Sequence, residues 1–284
     1  MMNKKELKKK LDEAGLGHVS NELLMLAKMS IRFTTTKSND TEMPVGASKI
    51  GGYPDLPPNY PFPKWKEVPL AFLAQINLAD ISDFNAASEL PSSGLLSFFY
   101  SATQETWGYD PADIGSWRVC YFDNLNTLQR VEPPNDFPEE GHYLPCSLSF
   151  FEELTIPTWD SALIERLNFT DNEMNAYIDL PTNSDDNLIN RILGYPNSIQ
   201  GDMQLECQLV SNGLYCGDET GYKDPRRIEL EPDSINWKLL FQLDSEEENA
   251  HMFWGDVGRV YFWINKTALS NRDFNKAWFQ LQCY

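Results

Sequence analysis

The chain has 284 residues and a formal net charge of −19, and 42% of its residues are hydrophobic. This composition is typical of a globular protein that buries a sizeable core. The acidity argues against nucleic acid and anionic membranes as partners, because both are bound mainly through Lys and Arg.

The first predicted elements are two helices and a strand. Residues 4–13 carry leucines on one helical face, and Ser20 is a candidate N-cap for a second helix that runs through Met29. The segment Ile31–Thr36 then has the pattern of a strand.

A Gly- and Pro-rich segment, residues 51–63, follows a polar loop and predicts an ordered extended coil. Four strands are predicted after it, at Leu70–Ile76, Leu95–Tyr100, Ser116–Phe122 and Cys146–Ile156.

The later part of the chain places helices between strands. Thr170 and Glu173 form a capping-box signature that opens a helix through Ile178. The remaining predictions, in chain order, are a loop at 183–187, a helix at 199–210, strands at 237–243 and 252–264, a helix at 273–278, and a tail at 279–284 that alternates as a strand does.

Three segments occur twice in the same order, which indicates an internal repeat. The corresponding features are Gly52-Tyr53-Pro54 and Gly194-Tyr195-Pro196, an apolar strand with Gln75 and one with Gln242, and aromatic strands led by Gly94 and by Gly258. We therefore predict an α+β fold of two related β-rich halves, with N-terminal helices and helices between the strands. Convergence among apolar strands with glycine turns is the alternative explanation.

The repeat suggests how the chain is divided. We expect an N-terminal helical segment (1–36) packed on the body, a first β-rich repeat (37–157) and a second repeat with a helical insertion (158–284), all in one compact unit. Related halves tend to pack about an approximate dyad, and a groove between them is a common place for a site. Gln75 and Gln242, buried in apolar strands, are expected to bond to backbone.

Motifs for common chemistries are absent from the sequence. It has no phosphate-binding glycine loop and no Ser nucleophile elbow, and Pro145 is expected to turn His142 away from Cys146. The sequence has three scattered histidines and no C-x-x-C motif, so we predict no zinc site. The acidic runs 185–186 and 244–248 are expected to be solvated loops rather than calcium ligands, so we predict no metal and no cofactor.

The cellular compartment is inferred from features that the sequence lacks. Five cysteines form no disulfide framework, the N-terminus has no apolar signal segment, and no apolar run is long enough to span a membrane. We expect a cytoplasmic protein, and the sequence makes no prediction of its oligomeric state.

The candidate site residues are aromatic or lie in glycine turns. We expect the groove between the halves to be lined by Tyr53, Trp65, Tyr195, Trp254 and Asp256. Core packing is the alternative explanation of the tryptophans, since Trp is a common core residue as well as a recognition residue.

Several long segments carry a family resemblance. They are Ser48–Pro57, Pro69–Leu78, Leu193–Pro196, Ile199–Met203, Trp237–Asp244 and Phe253–Gly258. Together they resemble the YwqG-like family of uncharacterised bacterial proteins. The resemblance implies a duplicated α+β fold, no established activity and no catalytic residues to assign, and some relatives near toxin and immunity genes point to an interaction role.

Two functional hypotheses follow. The first is a non-catalytic, immunity-like module that binds a protein partner, which the acidity suggests is basic. The alternative is a small-ligand binder or enzyme with its site in the groove between the halves.

Overall fold

The structure is a computed structural model that describes residues 3–180 and 189–284. The loop predicted at 183–187 and the acidic pair at 185–186 lie outside these residues. Within the described ranges, no helix combines the length and the apolar character needed to cross a membrane.

The helices are short and are spread along the chain. The α-helices are α1 (Lys4–Glu13), α2 (Ser20–Leu26), α3 (Ala162–Glu165), α4 (Asp171–Ile178), α5 (Gln204–Ser211), α6 (Glu219–Lys223), α7 (Arg227–Leu230), α8 (Glu247–Ala250) and α9 (Lys266–Ser270). Short 3-10 helices lie at Gly17–Val19, Leu78–Asp80, Asn85–Glu89, Pro111–Asp113, Leu125–Thr127, Glu139–Gly141, Glu231–Asn236 and Phe274–Lys276. The capping box predicted at Thr170 and Glu173 is present and starts α4.

The strands alternate with these helices. They are β1 (Lys28–Lys37), β2 (Lys49–Ile50), β3 (Asp55–Leu56), β4 (Lys64–Trp65), β5 (Val68–Asn77), β6 (Leu95–Ser101), β7 (Trp117–Phe122), β8 (Gln129–Arg130), β9 (Cys146–Thr155), β10 (Asn190–Ile192), β11 (Trp237–Asp244), β12 (Arg259–Asn265) and β13 (Trp278–Gln282).

Most strands form one large antiparallel sheet. Its order is β13-β12-β11-β10-β1-β9-β2-β5-β6-β7, with β4 attached to β5, while β3 and β8 form a separate pair. The helices lie in the connections around this sheet. The predicted α+β class is therefore confirmed.

The strand order of the large sheet can be read outward from its central pair, β1 and β9. Outward from the centre, one side runs β1, β10, β11, β12, β13 and the other runs β9, β2, β5, β6, β7. One side thus begins with β1, the first strand of the chain, and continues with four late strands, whereas the other begins with β9 and continues with four strands that precede β9 in the chain. The parts share one continuous sheet, and the boundary predicted at residue 36 falls inside β1.

Equivalent strands also carry equivalent hydrogen bonds. The Gln75 side-chain oxygen accepts from the backbone N–H of Asp55 at 3.0 Å, and that of Gln242 accepts from Asn197 at 2.9 Å. Both glutamines are fully buried. Their amides bond to backbone, as the sequence predicted, because a buried amide without a partner is costly.

The two Gly-Tyr-Pro turns have matching conformations. Gly52 and Gly194 both have positive φ, at 69° and 74°, which glycine adopts without strain. A buried cation holds each turn: Lys49 donates to the Tyr53 carbonyl, and Arg191 donates to the Tyr195 carbonyl. Each cation pairs with a carboxylate, so neither charge is buried alone.

Glycine is required at both Gly94 and Gly258. A Cβ on Gly94 would lie 2.5 Å from the Tyr121 ring, and one on Gly258 would lie 2.3 Å from the Gln282 carbonyl oxygen. In each case the obstacle belongs to the next strand of the sheet, so a larger residue would separate the edge strand from its neighbour.

Rings from distant strands meet in the main core. Phe98 of β6 stacks on Phe241 of β11 with ring centroids 4.3 Å apart, and it meets Phe262 of β12 edge-on at 5.1 Å. Trp117 of β7 lies 4.8 Å from Trp278 of β13. Because β7 and β13 are the two ends of the sheet order, the sheet curls until its ends meet.

The N-terminal helices cover a smaller core. Leu7 and Leu11 of α1 are buried in a cluster that also contains Leu154 of β9 and Tyr177 of α4. This cluster attaches α1 and α2 to the end of a central strand.

Two predicted helices were placed wrongly at one end. Met29 belongs to β1, because β1 pairs with β9 along its whole length from Lys28 onward. The helix predicted at 199–210 begins only at Gln204, because the Ile199 and Gln200 N–H groups donate to the Gln282 side chain instead.

Three further predictions were wrong near the C-terminus. Met252 and Phe253 lie in no strand, and β12 begins only at Arg259. Between them is the tight turn that Asp256 before Gly258 favours, with the Gly258 N–H donating to the Trp254 carbonyl at 2.7 Å. The helix predicted at 273–278 is a short 3-10 helix, and Trp278 already starts β13. The acidic run 244–248 is partly buried rather than solvated, since Asp244 pairs with Arg259 at 2.7 Å.

Candidate functional site

A cleft of about 240 Å³ opens between elements from both parts of the chain. Lys28 at the start of β1 and Glu89 in the 3-10 helix Asn85–Glu89 line one side. Tyr195, in the turn after β10, lines another side, and residues of β11 and β12 complete the wall. We call this space the Lys28 cleft.

Alternate residues of β11 form one wall of the Lys28 cleft. Trp237 and Leu239 lie two positions apart, so their side chains share one face of the sheet, and Leu239 pairs with Trp263 of β12. Trp237 has a partner for its indole N–H, which donates to Gln208 at 2.8 Å. Trp263 differs: it is 2% exposed, and its indole N–H has no hydrogen-bond partner within the described residues.

Ser161 contributes a second unpartnered group. It precedes α3 as the N-cap residue, a position where Ser usually accepts from a helix N–H, yet its hydroxyl makes no such bond. Ser161 is 3% exposed and lines the Lys28 cleft, and its hydroxyl lacks a partner in the part of the chain that the structure describes. Each buried polar group of this kind costs about 1–3 kcal/mol.

Two lysines lie at the Lys28 cleft. The Lys28 ammonium lies 4.3 Å from the centre of the Tyr195 ring, a cation–π arrangement. Loss of hydration lowers the pKa of Lys28, and the nearby positive charge of Lys238 lowers it further. Glu89 opposes this effect on the Lys28 pKa and forms an ion pair with Lys238.

Asp202 adds a carboxyl group to the same cleft. Burial raises its pKa to about 6, and the charges of Asp160 and Glu165 contribute to the increase. Backbone N–H groups act in the opposite direction, and the N–H of Gln204 donates to Asp202 at 3.3 Å. The Asp202 carboxyl therefore changes its protonation state near neutral pH and is able either to donate or to accept a hydrogen bond.

The structure places the five predicted groove residues in different surroundings. Tyr195 lines the Lys28 cleft, whereas Trp65 lines a separate hollow of about 110 Å³. Trp254 is fully buried, donates to the Asp244 carbonyl at 3.0 Å and packs in the main core. Tyr53 is 37% exposed and Asp256 is also exposed. A site shared by all five stays a prediction.

Sequence reasoning missed Lys28, Ser161, Asp202 and Trp263. Trp263 lies in a segment correctly predicted as a strand, but strand alternation does not reveal which indole N–H is left without an acceptor. The other three belong to unrelated segments that the fold brings together, and no spacing in the sequence signals this. Within the described residues, no group of three or more His, Cys, Asp and Glu is arranged to hold a metal ion.

The fold and the cleft define an α+β protein built on one curled antiparallel sheet with a small cleft beside it. Residues 48–283 match the profile of a family described as a domain of unknown function (DUF1963). This match covers most of the chain, which therefore belongs to that family. No curated protein matches the chain.

Proposed function

We propose that the protein binds a small organic anion in the Lys28 cleft. The observation that carries the proposal is a pair of buried polar groups on residues that line one cleft, the Ser161 hydroxyl and the Trp263 indole N–H, neither of which has a hydrogen-bond partner among the residues that the structure describes. Buried groups of this kind are usually bonded. Neither atom is open to solvent, so a ligand that displaces the groups covering them and supplies the missing acceptor would recover their cost.

The charges favour an anionic group on the ligand. The positive charge of Lys238 disfavours the charge of Lys28, in a chain whose net charge is −19. A carboxylate or phosphate beside Lys28 would relieve this repulsion and accept from its ammonium. Trp237 and Leu239 provide an apolar wall for the rest of the molecule.

The volume limits the size of the ligand. Pockets for drug-sized compounds occupy about 300–1,000 Å³. The Lys28 cleft, at about 240 Å³, lies below that range. We therefore propose a compound of small-metabolite size with one acidic group and a short apolar body.

Binding without catalysis is the simpler use of the cleft. A nucleophilic Ser needs a base within hydrogen-bond reach. The Ser161 hydroxyl has no hydrogen-bond partner in the described ranges. We propose that it recognises the ligand and does not attack it.

A protein partner is a second candidate, which the net charge of −19 favours. A basic protein would be attracted by this charge, and an immunity-like role would be one form of it. The resemblance to the YwqG-like family, in which some relatives lie near toxin and immunity genes, is a further reason for proposing a protein partner. A cytoplasmic location is also proposed, and the five cysteines, all free and buried, support it.

The matched strand order, turns and glutamine bonds support a proposal about origin. We propose that the chain arose by internal duplication and that the first strands of the two copies, β1 and β9, were exchanged. This arrangement would make each copy depend on the other for a complete sheet.

Ligand-observed NMR with benzoate, indole-3-acetate and phenyl phosphate as probes tests the binding proposal. We expect at least one probe to bind, and we expect Ser161→Ala and Trp263→Phe each to weaken it by about fivefold or more, the value of one hydrogen bond. Ser92→Ala and Trp159→Phe change exposed residues and serve as matched controls. Binding that both cleft variants leave unchanged, or no binding of any probe, contradicts the proposal.

A further inference from the structure

A second cleft, of about 610 Å³, lies where the two ends of the curled sheet meet. Trp117 of β7 and Trp278 of β13 line it, together with Trp237 at the start of β11. Its remaining wall comes from α9 and the 3-10 helix Phe274–Lys276. We call it the tryptophan cleft, and we propose that it binds one or two pyranose rings of a neutral carbohydrate.

The floor of the tryptophan cleft is rigid and apolar. Each of its three indoles is 5% exposed, and each indole N–H is already bonded. Trp117 donates to the Ala277 carbonyl and Trp278 to the Gly108 carbonyl, both at 2.8 Å, and Trp237 donates to Gln208. Because the indole N–H groups are engaged within the protein, the rings offer the cleft carbon surface and no free donor.

The rim of the tryptophan cleft is polar. Arg118, Asn271 and Asn275 are exposed at the cleft, and their side chains make no hydrogen bonds within the described ranges. An amide side chain both donates and accepts, and a guanidinium presents parallel donors. These groups match the hydroxyl pairs on a sugar ring, which also donate and accept.

This combination distinguishes a carbohydrate from other ligands. The C–H faces of a pyranose pack on aromatic carbon while its hydroxyls point outward to polar groups. A purely apolar ligand would gain nothing from the exposed amides of the rim, which would stay bonded to water. A phosphorylated ligand would have only Arg118 as an unengaged cation among the residues discussed, because Lys276 is paired with Asp273 at 3.0 Å.

The tryptophan cleft is distinct from the Lys28 cleft, although Trp237 contacts both. An experiment can therefore refute anion binding in the Lys28 cleft without refuting carbohydrate binding in the tryptophan cleft, and the reverse. A Ser161→Ala variant removes a group from the Lys28 cleft alone and should leave carbohydrate binding unchanged.

The test uses the full chain and a panel of neutral glycosides. The probes are the methyl glycosides of glucose, galactose, mannose and N-acetylglucosamine, together with maltose and chitobiose, each at about 10 mM to detect dissociation constants in the millimolar range. Saturation-transfer NMR detects binding, and the indole N–H resonances of the protein locate it. We expect at least one glycoside to bind and to shift the Trp117 and Trp278 resonances but not that of Trp254.

Variants in the rim provide the decisive comparison, because exposed asparagines can be replaced without loss of the fold. The double variant Asn271→Ala/Asn275→Ala should weaken glycoside binding by about tenfold, while Asn21→Ala, an exposed change on α2, should have no effect. The proposal is overturned if no glycoside binds, or if the double variant binds as the unchanged protein does. It is also overturned if an aromatic anionic dye such as anilinonaphthalene sulfonate occupies the cleft and the glycosides do not displace it.

Discussion

Gln75 and Gln242 hold corresponding positions in β5 and β11, and each bonds to one backbone carbonyl before a short strand and to one backbone N–H after it. The Gln75 amide donates to the Ala47 carbonyl at 2.8 Å, and the Gln242 amide donates to the Ile189 carbonyl at 2.6 Å. In each case the side chain fixes the segment before one strand and the turn after it. The two glutamines therefore act as structural ties within the sheet.

Replacement of either glutamine by leucine should destabilise the protein. Gln75→Leu and Gln242→Leu each leave one buried and one partly buried backbone group without its partner, so we expect each to lower the free energy of unfolding by about 2–4 kcal/mol. Urea denaturation followed by tryptophan fluorescence measures the effect. Gln129→Leu, at an exposed position, should change it by less than about 0.5 kcal/mol. A large cost for one glutamine and none for the other would contradict their equivalence.

Sequence patterns predicted much of the fold because the strands are long and apolar. Leu70–Ile76 and Leu95–Tyr100 differ from the observed β5 and β6 by no more than two residues at either end. The patterns failed where a distant group sets the structure. Residues 199–203 are not helical because the Gln282 side chain binds their backbone, and the sequence near 199 carries no sign of this.

The candidate site was much harder to predict than the fold. The Lys28 cleft combines a residue at the start of the first strand with Ser161 and Trp263, which lie far away in the chain. Their proximity depends on the pairing of β1 with β10 and β9 at the centre of the sheet, and such pairing between distant strands is not visible in a local sequence pattern. Of the predicted groove residues, Tyr195 lines this cleft.

Removal of the Ser161 hydroxyl should not destabilise the free protein. The hydroxyl is buried and has no partner in the described ranges 3–180 and 189–284, so Ser161→Ala exposes no new unsatisfied group and leaves a very small cavity. We expect the free energy of unfolding to stay the same or to rise by up to about 1 kcal/mol. Thermal denaturation at several pH values checks this, with Ser20→Ala as a contrast, because the Ser20 hydroxyl donates to the Gly17 carbonyl at 2.8 Å. A clear loss of stability in Ser161→Ala would show that its hydroxyl has a partner after all.

Asp202 should make stability fall as the pH rises through the acidic range. Its pKa is raised in the folded protein, so the folded state holds the proton more tightly than the unfolded state does. The free energy of unfolding should decrease as the pH rises from the ordinary value of 3.8 to about 6, and the loss is complete above that. Asp202→Asn abolishes this dependence and should stabilise the protein at pH 7 by up to about 3 kcal/mol.

The measurement is the difference in unfolding free energy between Asp202→Asn and the unchanged protein across this pH range. Asp136→Asn removes one exposed carboxylate and controls for the change in net charge. A difference that does not vary with pH would mean that burial does not raise the pKa of Asp202.

The pair Asp244 and Arg259 allows a sharper test of the relation between the two parts of the sheet. Asp244 pairs in register with Arg259, and at the equivalent place Asn77 pairs with Leu95. Asp244 and Arg259 are both buried and form a 2.7 Å ion pair, so Asp244→Asn alone leaves a buried cation without its counter-ion. We expect that single change to cost about 3–5 kcal/mol.

The double variant Asp244→Asn/Arg259→Leu installs the uncharged pair of the other part of the chain. Because it removes both charges together, it should recover most of the stability that Asp244→Asn loses, which gives a coupling energy of roughly 2–3 kcal/mol in a double-mutant cycle. Urea denaturation of the four proteins supplies the cycle. Additive losses in the double variant would mean that the two strand pairs are not interchangeable, and the proposal of an internal duplication would lose its energetic support.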